Sequence, residues 1–171
     1  ARSGRKVIPL VPQQGSQPLS ARRGEIAFRT PPPLSLYVHV PWCVRKCPYC
    51  DFNSHALPTS GDGEETPAIP EDDYLAALLA DLESALPMIW GRRVDSVFFG
   101  GGTPSLLSGE AVDRLLAALR SRLPLLPSAE ITLEANPASA DADKFAAFRA
   151  AGVNRLSIGI QSFDRRHLEA L

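Results

Sequence analysis

The stretch LYVHVPWCVRKCPYCDFNSH, residues 36–55, holds all three cysteines of the 171-residue chain within eight positions. Cys43, Cys47 and Cys50 form C-x3-C-x2-C at the end of a β-rich run, LSLYVHV (34–40), bounded by Pro33 and Pro41. Three structural core cysteines this close together would be improbable, and a disulfide between two would leave a reactive third. Metal-bound thiolates in a reducing, cytoplasmic setting fit the odd count better. Two metal chemistries are open. A zinc ion could take the three thiolates plus His39 or His55, although zinc ribbons draw a second pair of ligands from a separate segment and none exists here. Alternatively, the cysteines could hold three irons of a [4Fe–4S] cluster and leave the fourth iron to an outside ligand. A closed four-cysteine cluster lacks its last ligand.

Outward from this motif the chain alternates strand-like and helix-like segments. DDYLAALLADLESAL (72–86) places Leu75, Leu78, Leu79, Leu82 and Leu86 at helical spacing. VDSVFFG (94–100) reads as a strand, SGEAVDRLLAALRSRL (108–123) as a helix capped by Ser108, and EITLEA (130–135) as a third strand. ADKFAAFRAAG (142–152) and RLSIGI (155–160) continue the rhythm, and a last helix begins near Asp164. The pattern predicts an α/β fold of about four consecutive β/α units, with parallel strands buried on both faces. Four units do not close a barrel of eight. Residues 34–171 therefore read as part of a TIM-like barrel. Residues 1–33, with six prolines, read as a mobile arm, and 56–71 as an acidic Gly/Pro-rich loop.

Composition narrows the function classes. The net charge is −1, with six basic residues and one acid in the first 33 positions and twelve basic against eighteen acidic residues after them. Such a balance gives no bulk attraction to nucleic acid. No apolar run is long enough to span a membrane. The N-terminal arm lacks the apolar core of a secretory signal, and its prolines interrupt the amphipathic helix an organelle transit sequence would need.

Polar or glycine features stand at successive strand ends. FFGGGTPS (98–105) follows the second strand, and glycines there let backbone approach a ligand closely; an ordinary strand-to-helix turn is the competing reading. Glu134 ends the third strand, where a carboxylate is costly to bury without a partner, and Gln161 holds the equivalent place on the fourth. Barrel active sites lie at this face.

The C-x3-C-x2-C spacing, with Tyr49 before the last cysteine, resembles that of radical S-adenosylmethionine (SAM) enzymes. LYVHVPWCVRKCPYCDFNSH, FFGGGTPSLL, EITLEANP and GVNRLSIGIQSFDRRHLEAL are similar to the coproporphyrinogen dehydrogenase-like family, above all its heme-chaperone (HemW) branch. That resemblance implies a [4Fe–4S] cluster on Cys43, Cys47 and Cys50. It places Tyr37, Tyr49, Gly101, Gly102, Thr103, Glu134 and Gln161 at SAM-contacting positions. It implies reductive cleavage of SAM to methionine and a 5′-deoxyadenosyl radical, served by an electron donor. It also implies heme or porphyrin as ligand, and a respiratory protein as heme acceptor. The oxidase branch, which decarboxylates coproporphyrinogen III, carries a Gly-Cys pair after the cluster motif. Asp51 and Phe52 stand there in this chain. His55 is a weaker candidate ligand than a turn or cap residue. An inert or zinc-binding structural domain is the remaining class.

Overall fold

The computed structural model describes residues 32–57, 69–137 and 141–169. Nearly all of the arm assigned to 1–33, and residues 58–68 of the acidic loop, lie outside them. Strand β1 (Leu34–Val40) leads into two short strands, β2 (Trp42–Cys43) and β3 (His55–Ala56), that frame the cysteine segment. Then follow α1 (Glu71–Ile89), β4 (Val94–Gly101), a 3-10 turn (Pro104–Leu106), α2 (Gly109–Arg122), β5 (Leu125–Ala135), α3 (Ala142–Ala151), β6 (Arg155–Ile158) and α4 (Arg165–Glu169).

The four main strands make one parallel sheet in the order β1-β4-β5-β6. Each is joined to the next through a helix, the arrangement that parallel neighbours require. Register sorts the side chains into two faces. Val38, Phe99 and Leu133 stand side by side, as do Leu36, Val97 and Ile131. This face carries the core: Val38, Val40, Val97, Phe99 and Leu133 join Leu75, Val112, Leu116 and Phe148 from the helices. The opposite face aligns Tyr37, Phe98, Thr132 and Arg155, with Glu134 beside Ser157 farther along.

Burial on both faces does not hold. Thr132 on the second face is buried, but Tyr37 is 59% exposed, because among the described residues the helices pack on the first face. The observed sheet is that of a partial TIM-like barrel, with its inward face open at Tyr37 among the described residues.

Two local features fix the frame. The Ser108 hydroxyl accepts from the Ala111 N–H at 3.0 Å, while Glu71 of α1 reaches across to the Ser108 N–H and to its hydroxyl at 2.7 Å. The cap of α2 is thus a capping box whose acid comes from another helix. Asn154 bridges β5 with its side chain, accepting from the Ile131 N–H at 2.8 Å and donating to the Ala129 carbonyl at 2.9 Å. These bonds set where β6 begins. Helix α1 runs past Pro87, which sits in its last turn, so the missing N–H costs only one hydrogen bond.

Candidate metal and cofactor site

Apart from Tyr37, at the middle of β1, the candidate ligand residues lie near or beyond the C-terminal ends of the parallel strands. The cysteine segment leaves β1 at Val40 and returns at β3. It is tied by backbone: the His55 N–H donates to the Pro41 carbonyl at 2.7 Å, the Leu57 N–H to Cys43 at 2.9 Å, and the Cys50 N–H to Cys47 at 3.1 Å. Cys43, Cys47 and Cys50 are free thiols, each partly exposed. Tyr49 is exposed, and its hydrogen bond with Cys47, more than burial, raises its phenol above the ordinary 10.

Side chains complete the tie. Lys46 Nζ donates to the Phe52 carbonyl at 2.6 Å and to the carbonyl and hydroxyl of Ser54 at 3.2 and 3.0 Å. His39 Nε2 lies 2.8 Å from the Asn53 carbonyl, and Nδ1 lies 3.3 Å from the Tyr37 hydroxyl. A carbonyl only accepts, so Nε2 donates to it. Both nitrogens of His39 thus face protein partners. The side chain of Tyr74 packs edge-on against Trp42 (centroids 5.0 Å apart), and its hydroxyl donates to the His39 carbonyl at 2.7 Å.

The glycine run closes against this segment. Gly101 has φ +110°, a conformation that L side chains rarely adopt, and a Cβ there would meet the His39 ring at 2.7 Å. A Cβ on Gly102 would collide with the Trp42 carbonyl. The Gly102 N–H is spent on the Val40 carbonyl at 2.6 Å and the Thr103 N–H on the Trp42 carbonyl at 2.7 Å. The expected approach of backbone amides to a ligand is thus replaced, at these two residues, by packing of loop on loop. The Thr103 carbonyl is taken in turn by the Leu106 N–H at 3.0 Å.

Tyr37 and Glu134 share the open face. Burial first, and then the Glu134 charge, raise the Tyr37 phenol above 10. Glu134 is half-buried, and its carboxylate makes no hydrogen bond or ion pair among the described residues. Gln161 lies beyond β6, which ends at Ile158 and not at 160, and it holds φ +66°. A non-glycine residue in that region marks a turn held by its surroundings.

Among the described residues no three His, Cys, Asp or Glu side chains converge as a single metal ion would require. Cys43, Cys47 and Cys50 still fit a cluster, a larger body in which each cysteine takes a different iron. Three free, partly exposed thiols around one tied loop supply that donor set. Sequence reasoning missed Lys46 and Tyr74 and weighed His39 only as a metal ligand. Lys46 looks like any solvated lysine in one sequence, and Tyr74 belongs to the apolar stripe of α1.

A model of the radical SAM superfamily matches residues 37–171, and the chain belongs to that superfamily. Its relatives include the heme chaperone HemW of Escherichia coli (strain K12), 56% identical over 140 residues that make up 82% of this chain and 35% of that protein. The mitochondrial radical S-adenosyl methionine domain-containing protein 1 of Bos taurus is 45% identical over 137 residues, 80% of this chain and 29% of that one. Among solved structures, coproporphyrinogen III oxidase (HemN) from Escherichia coli, described as a radical SAM enzyme, is similar with a TM-score of 0.69 and 34% identity. The match covers 80% of this chain and 30% of that one. The chain spans about a third of the length of the curated relatives it matches.

Proposed function

We propose that this chain forms the cluster- and SAM-binding part of a heme chaperone, which binds heme and delivers it to respiratory proteins. The observation that carries this reading is the segment after the third cysteine, Asp51-Phe52, where the oxidase branch has Gly-Cys. The 56% identity to a heme chaperone, against 34% to the oxidase of similar fold, supports the same choice. Cys43, Cys47 and Cys50 would hold three irons. When bound, the cluster supplies one electron to the sulfonium of SAM.

The chain's own residues bind and orient. The carbonyls of Gly101 and Gly102 would accept from the SAM ammonium, since the amides of Gly102 and Thr103 and the carbonyl of Thr103 are already used. Glu134 accepts from ribose hydroxyls, and Tyr37, facing it, orders that pocket. Tyr49 shields the cluster beside Cys47. Gln161 closes the far side from its positive-φ turn. An electron donor, heme and a heme acceptor are the partners this function needs, and the cytoplasm is the compartment we assign. No helix among the described residues is long and apolar enough to cross a membrane.

The test is anaerobic reconstitution with iron and sulfide, followed by electron paramagnetic resonance of the reduced protein with and without SAM. A [4Fe–4S] signal that changes on adding SAM supports the cluster reading; a protein that takes up zinc and no iron overturns it. Heme titration and an assay for protoporphyrinogen then separate chaperone from oxidase. Heme held without turnover supports the chaperone, and conversion of coproporphyrinogen III overturns it.

A further inference from the structure

Lys46 stands inside the cysteine motif, one residue before Cys47. An ammonium has three N–H donors, and here all three have acceptors in a single short segment on the far side of Cys47 and Cys50. Phe52 O lies at 2.6 Å, Ser54 O at 3.2 Å and Ser54 Oγ at 3.0 Å. The carbonyl between them, on Asn53, is taken by His39 Nε2 at 2.8 Å. Three successive carbonyls are thus gathered by two side chains, one from the motif itself and one from β1. Lys46 is exposed as a residue, as a solvated lysine would be, but a solvated lysine does not converge on three acceptors. Ser54, its partner, is buried. Residues 46–54 consequently form a ring closed by protein atoms alone, and Cys47 and Cys50 lie on it.

We propose that Lys46 is a positioning residue for the cluster. It closes the cysteine loop before iron arrives, and it keeps a fixed positive charge within the cysteine motif. The proposal rests on reading Cys43, Cys47 and Cys50 as cluster ligands. Its first half is ordering: a loop already closed does not charge its ordering entropy to metal binding. Its second half is electrostatic: a cation held in the motif favours the added electron of a reduced cluster. Arginine would keep the charge but not the geometry, because its planar fork suits two acceptors in a plane and not three around a point.

The test begins with the metal-free 171-residue chain and hydrogen–deuterium exchange read by mass spectrometry. In Lys46→Met, amides of Cys50, Ser54, His55 and Leu57 should exchange at least about tenfold faster, as losing hydrogen bonds worth this much does to a local opening equilibrium. Peptides from β4 and β5 should be unchanged, which shows that the fold survives. Ser54→Ala, which removes one acceptor, should move the same amides by a smaller factor. After anaerobic reconstitution, Lys46→Met should lose iron faster to a chelator and be reduced at a lower potential than the parent. Lys46→Arg should restore the potential but not the slow exchange. Unchanged exchange in Lys46→Met overturns the closing role, and an unchanged potential overturns the electrostatic one. A parent chain that binds no iron, with Lys46→Met still opening the loop, leaves the closing role standing and sinks the cluster reading.

Discussion

Replacing Gly102 with alanine tests what the glycine run is for. A Cβ at Gly102 would collide with the Trp42 carbonyl oxygen, with its carbon at 2.8 Å and the Val40 carbonyl at 2.9 Å. All three are backbone atoms, so no rotamer relieves the clash. The segment 40–42 must draw away, and with it go the hydrogen bonds from Gly102 N–H to Val40 and from Thr103 N–H to Trp42, now 2.6 and 2.7 Å. Two such bonds at about 1 kcal/mol each, plus about 1–3 kcal/mol for overpacking, give a loss of about 3–5 kcal/mol. At about 2–4 °C per kcal/mol for a domain of this size, the midpoint should fall by about 6–20 °C. Gly91→Ala is the control. Gly91 has φ +74° but nothing within 4 Å of a Cβ, so only the left-handed backbone cost of about 1–2 kcal/mol applies. Thermal unfolding followed by far-ultraviolet circular dichroism ranks the two. A Gly102→Ala midpoint within about 2 °C of the parent, less than one kcal/mol would produce, refutes the packing account. Retained stability with lost SAM affinity would return the glycine to a ligand-facing role.

Three further outcomes are expected. Asn154→Ala removes the bonds to the Ile131 N–H and the Ala129 carbonyl; stranding those backbone groups should cost about 2–4 kcal/mol in urea unfolding, and a loss under about 1 would contradict it. Ser108→Ala should cost about 1–2 kcal/mol as an ordinary cap does, and adding Glu71→Gln should cost less than the sum of the two single changes, since both serve one cap. Additive losses would show the two to be independent. The chain's three tyrosines, Tyr37, Tyr49 and Tyr74, all have phenols raised above 10: by burial and the Glu134 charge, by the bond to Cys47, and by burial, respectively. A phenol with a raised folded-state pKa keeps its proton where the unfolded chain has lost it. Its contribution to stability is whole below pH 10 and is lost as pH climbs through the folded value. Tyrosinate absorbance should therefore lag that of the denatured chain above pH 10, and Glu134→Gln should shorten the lag at Tyr37. Superimposed native and denatured curves would contradict this.

The sequence was most legible where a local pattern maps onto one element. Ser108 and the leucine spacing after it placed α2 to within a residue, and the alternation of units gave the parallel sheet. The start of β5 was not legible: Pro127 and the polar residues after it look like a loop, yet the strand begins at Leu125. There it pairs with Val94 ahead of a register shift that lets the irregular stretch join the sheet. The paired β2 and β3 are two residues each, too short for any periodicity. Burial on both faces was expected from strand composition, but composition does not say on which face the helices pack, and Tyr37 is left exposed. At the site, cysteine spacing located the donor set because chemistry demands it. The ties that shape the loop were invisible, because Lys46 and His39 find their acceptors only after the chain has turned back on itself.

The open face of the sheet separates structural from functional charge. Two carboxylates of β5, Glu130 and Glu134, point toward the same side. Glu130 is satisfied: Arg155 of β6 reaches it at 3.1 Å, and the buried Thr132 donates to it at 3.0 Å. Arg155 also donates to Thr132 at 3.3 Å, so the three form one closed network toward the N-terminal end of the sheet. Glu134 lies four residues on, two past the level of Tyr37, toward the end where the cysteine loop and the glycine turn gather. Opposite it in register stands Ser157, and no cation. A half-buried carboxylate without a partner is the costly arrangement that folding ordinarily removes. On a strand that pairs its other acid so fully, the cost is local to the place where the remaining polar groups converge. That contrast, more than the exposure of any one residue, locates the ligand end of the sheet.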